Sequence, residues 1–229
     1  MNRLIAGDGE SLLTEYTILK DDVKGPFNRK LPTKMEQQAK LSRLNYRDST
    51  ELLAEKFHLS EDLLKALNKG KRLDRANTKI TVPAVRARKT EIKAARLEVN
   101  KSDRVLRAFD SEGKLIAHYP ASVGSEEKPA PTGTVKVTRI AKNPNYTYNP
   151  KYNFKGVKTD KAFTISPGPN NPVGLVWIAL DGEGYGIHGT PQPEKVAKSA
   201  AHGCVRLTNW DALELAGMVD KGTPVEFIE

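Results

Sequence analysis

The spacing of apolar residues changes partway along this chain, and that change constrains the fold more than any other feature. From Glu91 onward apolar side chains recur at every second position. Glu91–Val99, Arg104–Phe109, Leu115–Tyr119, Thr134–Ile140, Ala162–Ile165, Leu175–Leu180 and Pro224–Ile228 all read as strands. Asp110-Ser-Glu-Gly113 supplies a hairpin turn between two of them. Asn209–Val219 is the one helical pattern in this part, with Asn209 placed to cap it. Before Pro83 the order differs. A short strand at Tyr16–Lys20 and a polar stretch to Pro32 precede helical composition at Thr33–Leu44. Two capped helical patterns follow, at Asp48–Phe57 and Ser60–Asn68, and then a strand at Lys79–Pro83. We therefore expect an α+β protein of two domains: residues 1–83, a small α/β unit with a helical insertion, and residues 84–229, mainly antiparallel β in a sandwich or barrel with one late helix.

Charge and cysteine content narrow the function. The chain has 37 Lys plus Arg against 28 Asp plus Glu, a formal charge of +9. The excess lies in both parts, without the basic arm of a nucleic-acid binder, so no nucleic-acid partner is expected and an anionic surface is a plausible neighbour. The longest apolar run, Val173–Leu180, is strand-length and far short of a bilayer span, so no transmembrane segment is expected. Cys204 stands alone, which excludes an internal disulfide and a multi-cysteine metal site. The N-terminus lacks the basic-then-apolar pattern of a secretory signal, which fits a cytosolic protein or a mature chain with an added Met1. Lys142–Lys161, with Tyr146, Tyr148, Tyr152 and Phe154, reads as a long loop of the kind that serves as a lid or binding segment.

The chemistry concentrates in Ile187-His-Gly-Thr190 and Ala201-His-Gly-Cys-Val-Arg-Leu207. A thiol is a strong nucleophile as the thiolate, which an adjacent imidazole favours. Glycines beside it let backbone approach a reacting carbonyl, and amides around the nucleophile can face a developing oxyanion. Spacing alone equally allows an inert buried cysteine with two hydrogen-bonded histidines, or a zinc site of Cys204, His188 and His202 lacking a fourth ligand.

The whole string, IHGTPQPEKVAKSAAHGCVRLTNWDA, resembles the signature of the L,D-transpeptidases of bacterial cell walls. The resemblance takes in Ala130–Thr134, Tyr152–Phe154 and Asn170–Gly174 and spans residues 91–229. The first domain resembles a lysin-motif (LysM) module through Tyr16-Thr-Ile18, Glu51–Phe57, Leu63–Asn68 and Thr78–Pro83, with an insertion after the first strand and Asn77 where glycine is usual.

The family resemblance implies Cys204 as nucleophile and His188 as general base or thiolate partner, its ring oriented by the Gly189 carbonyl. Amides of His202, Gly203 and Cys204 would form the oxyanion hole, with the His202 side chain bracing the loop. Arg206, Asn170 and Tyr152 would contact substrate; Arg206 alternatively makes a structural ion pair. The family's Ser or Thr before His-Gly-Cys is replaced by Ala201. The implied activity is transfer of a peptidoglycan stem peptide through a cysteine thioester, giving 3→3 cross-links, or trimming by water, with no cofactor and no metal. Stem peptides, glycan strands and β-lactams of the carbapenem class would be its partners, and the periplasm or cell envelope its location. That location favours the mature-chain reading of the N-terminus. Other readings are a carboxypeptidase or protein-anchoring enzyme using the same site, a cysteine peptidase, for which no third residue is evident, and a non-catalytic wall-binding protein.

Overall fold

A computed structural model describes residues 12–84, 92–125, 128–150, 159–199, 201 and 203–229. The chain divides into two compact units, one of residues 1–29 and 46–87, the other of residues 30–45 and 88–229. The inserted segment 30–45 is grouped with the second unit.

In the first unit, β1 (Leu13–Thr17) pairs antiparallel with β2 (Lys79–Pro83). Helices α1 (Lys20–Lys24), α3 (Ser49–Lys56) and α4 (Glu61–Leu67) complete it. Asp48 caps α3 by accepting from the Glu51 amide at 3.0 Å, and Ser60 caps α4 by accepting from the Leu63 amide at 3.2 Å. Ile18, Leu53, Ala54, Leu59, Leu64, Leu73, Ile80 and Val82 form its core. Asn68 stands in for a strand: its side chain donates to the Thr81 carbonyl at 2.8 Å and accepts from the Thr81 amide at 2.7 Å. Asn77 has φ +65°, a left-handed conformation that asparagine tolerates better than most residues.

The second unit is built on a nine-stranded sheet ordered β5-β4-β3-β13-β7-β10-β11-β12-β6. Its strands are β3 (Arg96–Asn100), β4 (Val105–Phe109), β5 (Leu115–Pro120), β6 (Ser122–Val123), β7 (Gly133–Lys142), β10 (Val176–Leu180), β11 (Gly186–His188), β12 (Val205–Arg206) and β13 (Pro224–Ile228). Neighbours are antiparallel except β3–β13 and β11–β12. Helix α5 (Asn209–Met218) packs with it, and Ala212, Leu215, Ala216 and Met218 join the strands' inward residues in one core. Its N-cap is Thr208, which accepts from the Asp211 amide at 3.2 Å; Asn209, expected as the cap, is the first helical residue.

The stretch Lys142–Lys161, expected as one long loop, instead contains a short strand that pairs with the strand expected at Ala162–Ile165. β8 (Tyr146–Tyr148) and β9 (Phe163–Ile165) form a separate ladder in which the Tyr148 and Phe163 rings stack at 4.9 Å. Residues 151–158 between them, with Tyr152, lie outside the described residues. The inserted segment carries only the short α2 (Met35–Gln38) of the longer helix expected there. Its last residues run against 167–170. The Leu44 amide donates to the Pro167 carbonyl at 2.9 Å and its carbonyl accepts from the Asn170 amide at 3.1 Å. A Cβ on Gly168 would come within 2.0 Å of the Leu44 carbonyl oxygen, so only glycine permits this approach.

Candidate active site

Strand register brings the candidate residues together. β11 and β12 run parallel with Ile187 opposite Val205 and His188 opposite Arg206. Ile187 and Val205 are fully buried in the core. Side chains alternate across a strand, so His188 and Arg206 project from the other face. Extending that alternation one residue before β12 puts Cys204 on the same face, and its sulfur meets the backbone of Gly184 and Gly186. On the far side of β11, Trp177 of β10 is the register partner of His188, and their rings stack at 5.6 Å with a 20° interplanar angle. The indole lies across Gly186, where a Cβ would come within 2.6–2.9 Å of its ring atoms.

His188 is buried, and its Nδ1 lies 2.6 Å from the Gly189 carbonyl oxygen. A carbonyl can only accept, so Nδ1 carries the proton and Nε2 presents its lone pair. Burial, reinforced by the positive charge of Arg206, holds the His188 pKa down to about 4, against the opposing pull of the Gly189 bond. Cys204 is buried too, which pushes its thiol above the ordinary value. The Gly186 amide and the charges of Lys128 and Arg206 oppose this rise, and the Sγ lies 3.5 Å from the Gly184 carbonyl oxygen. At neutral pH both groups are therefore uncharged, and the imidazole is available to take a proton.

The turn before Cys204 is tied to the loop after β6. The Gly124 amide donates to the Cys204 carbonyl at 3.0 Å, and the Gly124 carbonyl accepts from the Ala201 amide at 2.8 Å. The Gly203 amide donates to the Ala201 carbonyl at 2.9 Å, so the oxyanion role implied for that amide requires this bond to be shared or to open. Gly203 has φ +80°, which glycine adopts at no steric cost. His202 lies outside the described residues.

Arg206 is half-buried, and its Nη1 donates to the Ser199 hydroxyl at 3.3 Å. Asn170 is buried, and its side-chain nitrogen donates to the Asn45 carbonyl at 2.9 Å, so this amide clamps the inserted segment. Among the described residues no group of three or more His, Cys, Asp and Glu is placed to hold a metal ion, and no helix is long and apolar enough to cross a membrane.

Trp177, Lys128 and Gly124 were not singled out from the sequence, and Asn209 was read only as a helix cap. Asn209 is nearly fully buried. Its Oδ1 accepts from the Leu175 amide at 3.0 Å and its Nδ2 donates to the Pro169 carbonyl at 3.2 Å. That Oδ1 also lies where a Cβ on Gly189 or Gly174 would fall, at 2.3 and 2.0 Å. Asn209 thereby ties Leu175 to Pro169, and Gly189, whose carbonyl meets the His188 ring, packs against its side chain with no room for a Cβ. Its place next to a helix start reads in sequence as a cap, which hides this role.

Residues 94–227, more than half the chain, match the YkuD family, the L,D-transpeptidase catalytic domain. The Bacillus licheniformis protein named L,D-transpeptidase YkuD is 29% identical over 150 residues, covering 66% of this chain and 74% of its own. The Bacillus subtilis protein named L,D-transpeptidase YqjB is 33% identical over 132 residues, covering 56% and 67%. Among solved structures, a mutant of the Enterococcus faecium L,D-transpeptidase is similar at 21% identity and TM-score 0.46, covering 65% of this chain and 55% of that one. The chain belongs to the YkuD family of L,D-transpeptidase catalytic domains and is an enzyme of that family.

Proposed function

We propose that this enzyme forms 3→3 cross-links in peptidoglycan through a thioester on Cys204. The observation that carries the reading is His188: a buried, neutral imidazole with Nδ1 tied to the Gly189 carbonyl, leaving Nε2 to accept a proton on the sheet face that also carries Cys204. The Cys204 thiol gives its proton to Nε2 as sulfur attacks the carbonyl joining the L-centre of meso-diaminopimelate to D-Ala in a tetrapeptide stem. The carbonyl oxygen takes the negative charge beside the backbone amides of the nucleophile turn, Cys204 and His202 among them. The tetrahedral species collapses, His188 returns the proton to the leaving nitrogen, and D-Ala departs. An amine of a neighbouring stem then attacks the thioester, with His188 again taking the proton. Water in place of that amine gives carboxypeptidase action. Arg206 presents its guanidinium to a substrate carboxylate. Tyr152 and Asn170 border the substrate, and the first unit holds glycan strands as a lysin-motif module. The enzyme works in the periplasm or cell envelope, where cross-linked peptidoglycan lies.

Intact-mass measurement after mixing with a carbapenem tests the nucleophile. One acyl adduct per chain is expected, mapping to the peptide with Cys204 and missing from a folded Cys204→Ala protein. A tetrapeptide donor with an amine acceptor tests the reaction: a 3→3 dimer is expected with release of D-Ala. A wild-type chain that gives neither adduct nor dimer while folded would refute the reading.

A further inference from the structure

A cation is built into the wall of the nucleophile turn by a residue outside the family signature. Lys128 sits in the loop between β6 and β7, whose start is bonded to Ala201 and Cys204 through Gly124. Its backbone is fixed by a turn: the Ser125 amide donates to the Lys128 carbonyl at 3.0 Å, and the Lys128 amide donates to the Ser125 hydroxyl at 3.1 Å. Its side chain lies flat on the nucleophile turn. A Cβ on Gly203, the residue before Cys204, would come within 2.8–2.9 Å of Lys128 Cγ, Cδ and Cε. Beyond that stem the ammonium lies over the Tyr185 ring, 5.2 Å from its centroid, a cation–π placement that limits its wandering. Tyr185 lies between Gly184 and Gly186, the two residues whose backbone meets the Cys204 sulfur.

Two cations therefore act on the thiol, Arg206 from β12 and Lys128 from the neighbouring loop, while His188 on β11 is neutral. They differ in setting. Arg206 is bonded to Ser199 in the same stretch of chain. Lys128 is only partly buried and comes from another element, so its position is set separately from the turn it covers.

We propose that Lys128 is a specificity-determining residue of this site, its ammonium meeting the carboxylate of an anionic peptide donor as the scissile carbonyl reaches Cys204. The proposal rests on the donor chemistry given above. It adds that donors with a free carboxylate beside the reacting centre are preferred over amidated ones, and that Lys128 supplies much of the preference. Lysine suits this task, since a flexible stem can follow a carboxylate that arrives and leaves with each turnover.

Cys204 is the sole cysteine, so alkylation reads the site directly and without turnover. The second-order rate constants for iodoacetate and for iodoacetamide are measured at one pH, and their ratio is taken. The ratio cancels any change in thiolate fraction and leaves the effect of the reagent's charge. Lys128→Met should lower it roughly three- to tenfold, and the loss should shrink at high salt, as for one partly exposed charge. Lys128→Arg should keep the ratio within about twofold of wild type, since the charge remains. An unchanged ratio in both Lys128→Met and Lys128→Glu would overturn the role of Lys128. So would a ratio that falls in Arg206→Met alone. In the peptide arm, wild type should prefer a tetrapeptide with a free carboxylate over the amidated form, and Lys128→Met should lose that preference by a similar factor. A wild-type enzyme that turns over neither peptide overturns the function proposed above and the carboxylate donor with it. The alkylation ratio separately decides whether Lys128 acts on charge at Cys204.

Discussion

A thiol and an imidazole can rest as an ion pair or as a neutral pair, and the surroundings of Cys204 and His188 decide for the neutral one. Burial disfavours the charged form of each, and the Arg206 charge opposes imidazolium further. Of the two roles the sequence left to His188, general base or thiolate partner, a neutral imidazole fits the base. The acid limb of the acylation rate should then fall near pH 4 to 5, where His188 takes a proton, and not near the 6.5 of an ordinary histidine. A rate profile with carbapenem that breaks near 6.5 would contradict this. The same shift predicts a stability change. Between about pH 6.5 and 4 the unfolded chain binds a proton that folded His188 refuses, so stability is lost as pH falls through that window and levels off below it. His58, whose pKa burial also lowers, adds a loss of the same sign. In His188→Gln the drop in urea stability between pH 7 and pH 4.5 should shrink by about 2–3 kcal/mol. An undiminished drop would mean that His188 is not held neutral.

At the level of elements, the nucleophile turn owes its position to backbone bonds from a different loop. Ala201, where the family has Ser or Thr, is buried with its amide and carbonyl both bonded, so Gly124 supplies restraint from outside the turn. Gly124 has φ +50°, and a Cβ there would come within 2.6 Å of the Ala130 amide nitrogen. Gly124→Ala should cost about 1–3 kcal/mol in strain and slow Cys204 acylation by roughly tenfold or more at retained fold. Ala201→Ser should raise acylation by about tenfold or less, the reach of one regained hydrogen bond. Acylation unaffected by Gly124→Ala would show that the turn stands without that loop. These relations also mark how far the sequence could be read. The long strands and helices α3, α4 and α5 show in the apolar spacing because each covers several repeats of its period. β11 and β12 are 3 and 2 residues long, too short for a period to show, although they carry the site. His188 and Cys204 were legible only through the motif around them. Trp177 and Lys128 were not, because their roles depend on which strands and loops become neighbours.

Across the whole molecule, the chain leaves its first unit after residue 29 and re-enters it at residue 46. Composition gave no warning, since residues 33–44 read as one more helix in a helical stretch. What assigns them to the second unit is non-local: Leu44 is fully buried, its amide and carbonyl are bonded to Pro167 and Asn170, and Asn170 holds the Asn45 carbonyl. The remainder of the first unit closes through β1 and β2, whose spacing is legible. If this unit binds glycan as proposed, sacculus binding by the full chain should mostly survive high salt. Adhesion by the +9 charge alone should be screened away. The division also fixes what removing Leu44 should do. Leu44→Ala deletes a buried side chain, a change that costs about 2–5 kcal/mol when neighbours cannot collapse into the space. The loss should fall on the second unit. Amide exchange should quicken around 165–171, and Cys204 should become alkylated at a lower urea concentration than in wild type. Exchange at β1 and β2 should stay as it was. Leu53→Ala, in the core of the first unit, should give the reverse pattern. Should Leu44→Ala instead loosen β1 and β2 and leave 165–171 protected, residues 30–45 would belong with the first unit, as their place in the sequence suggests.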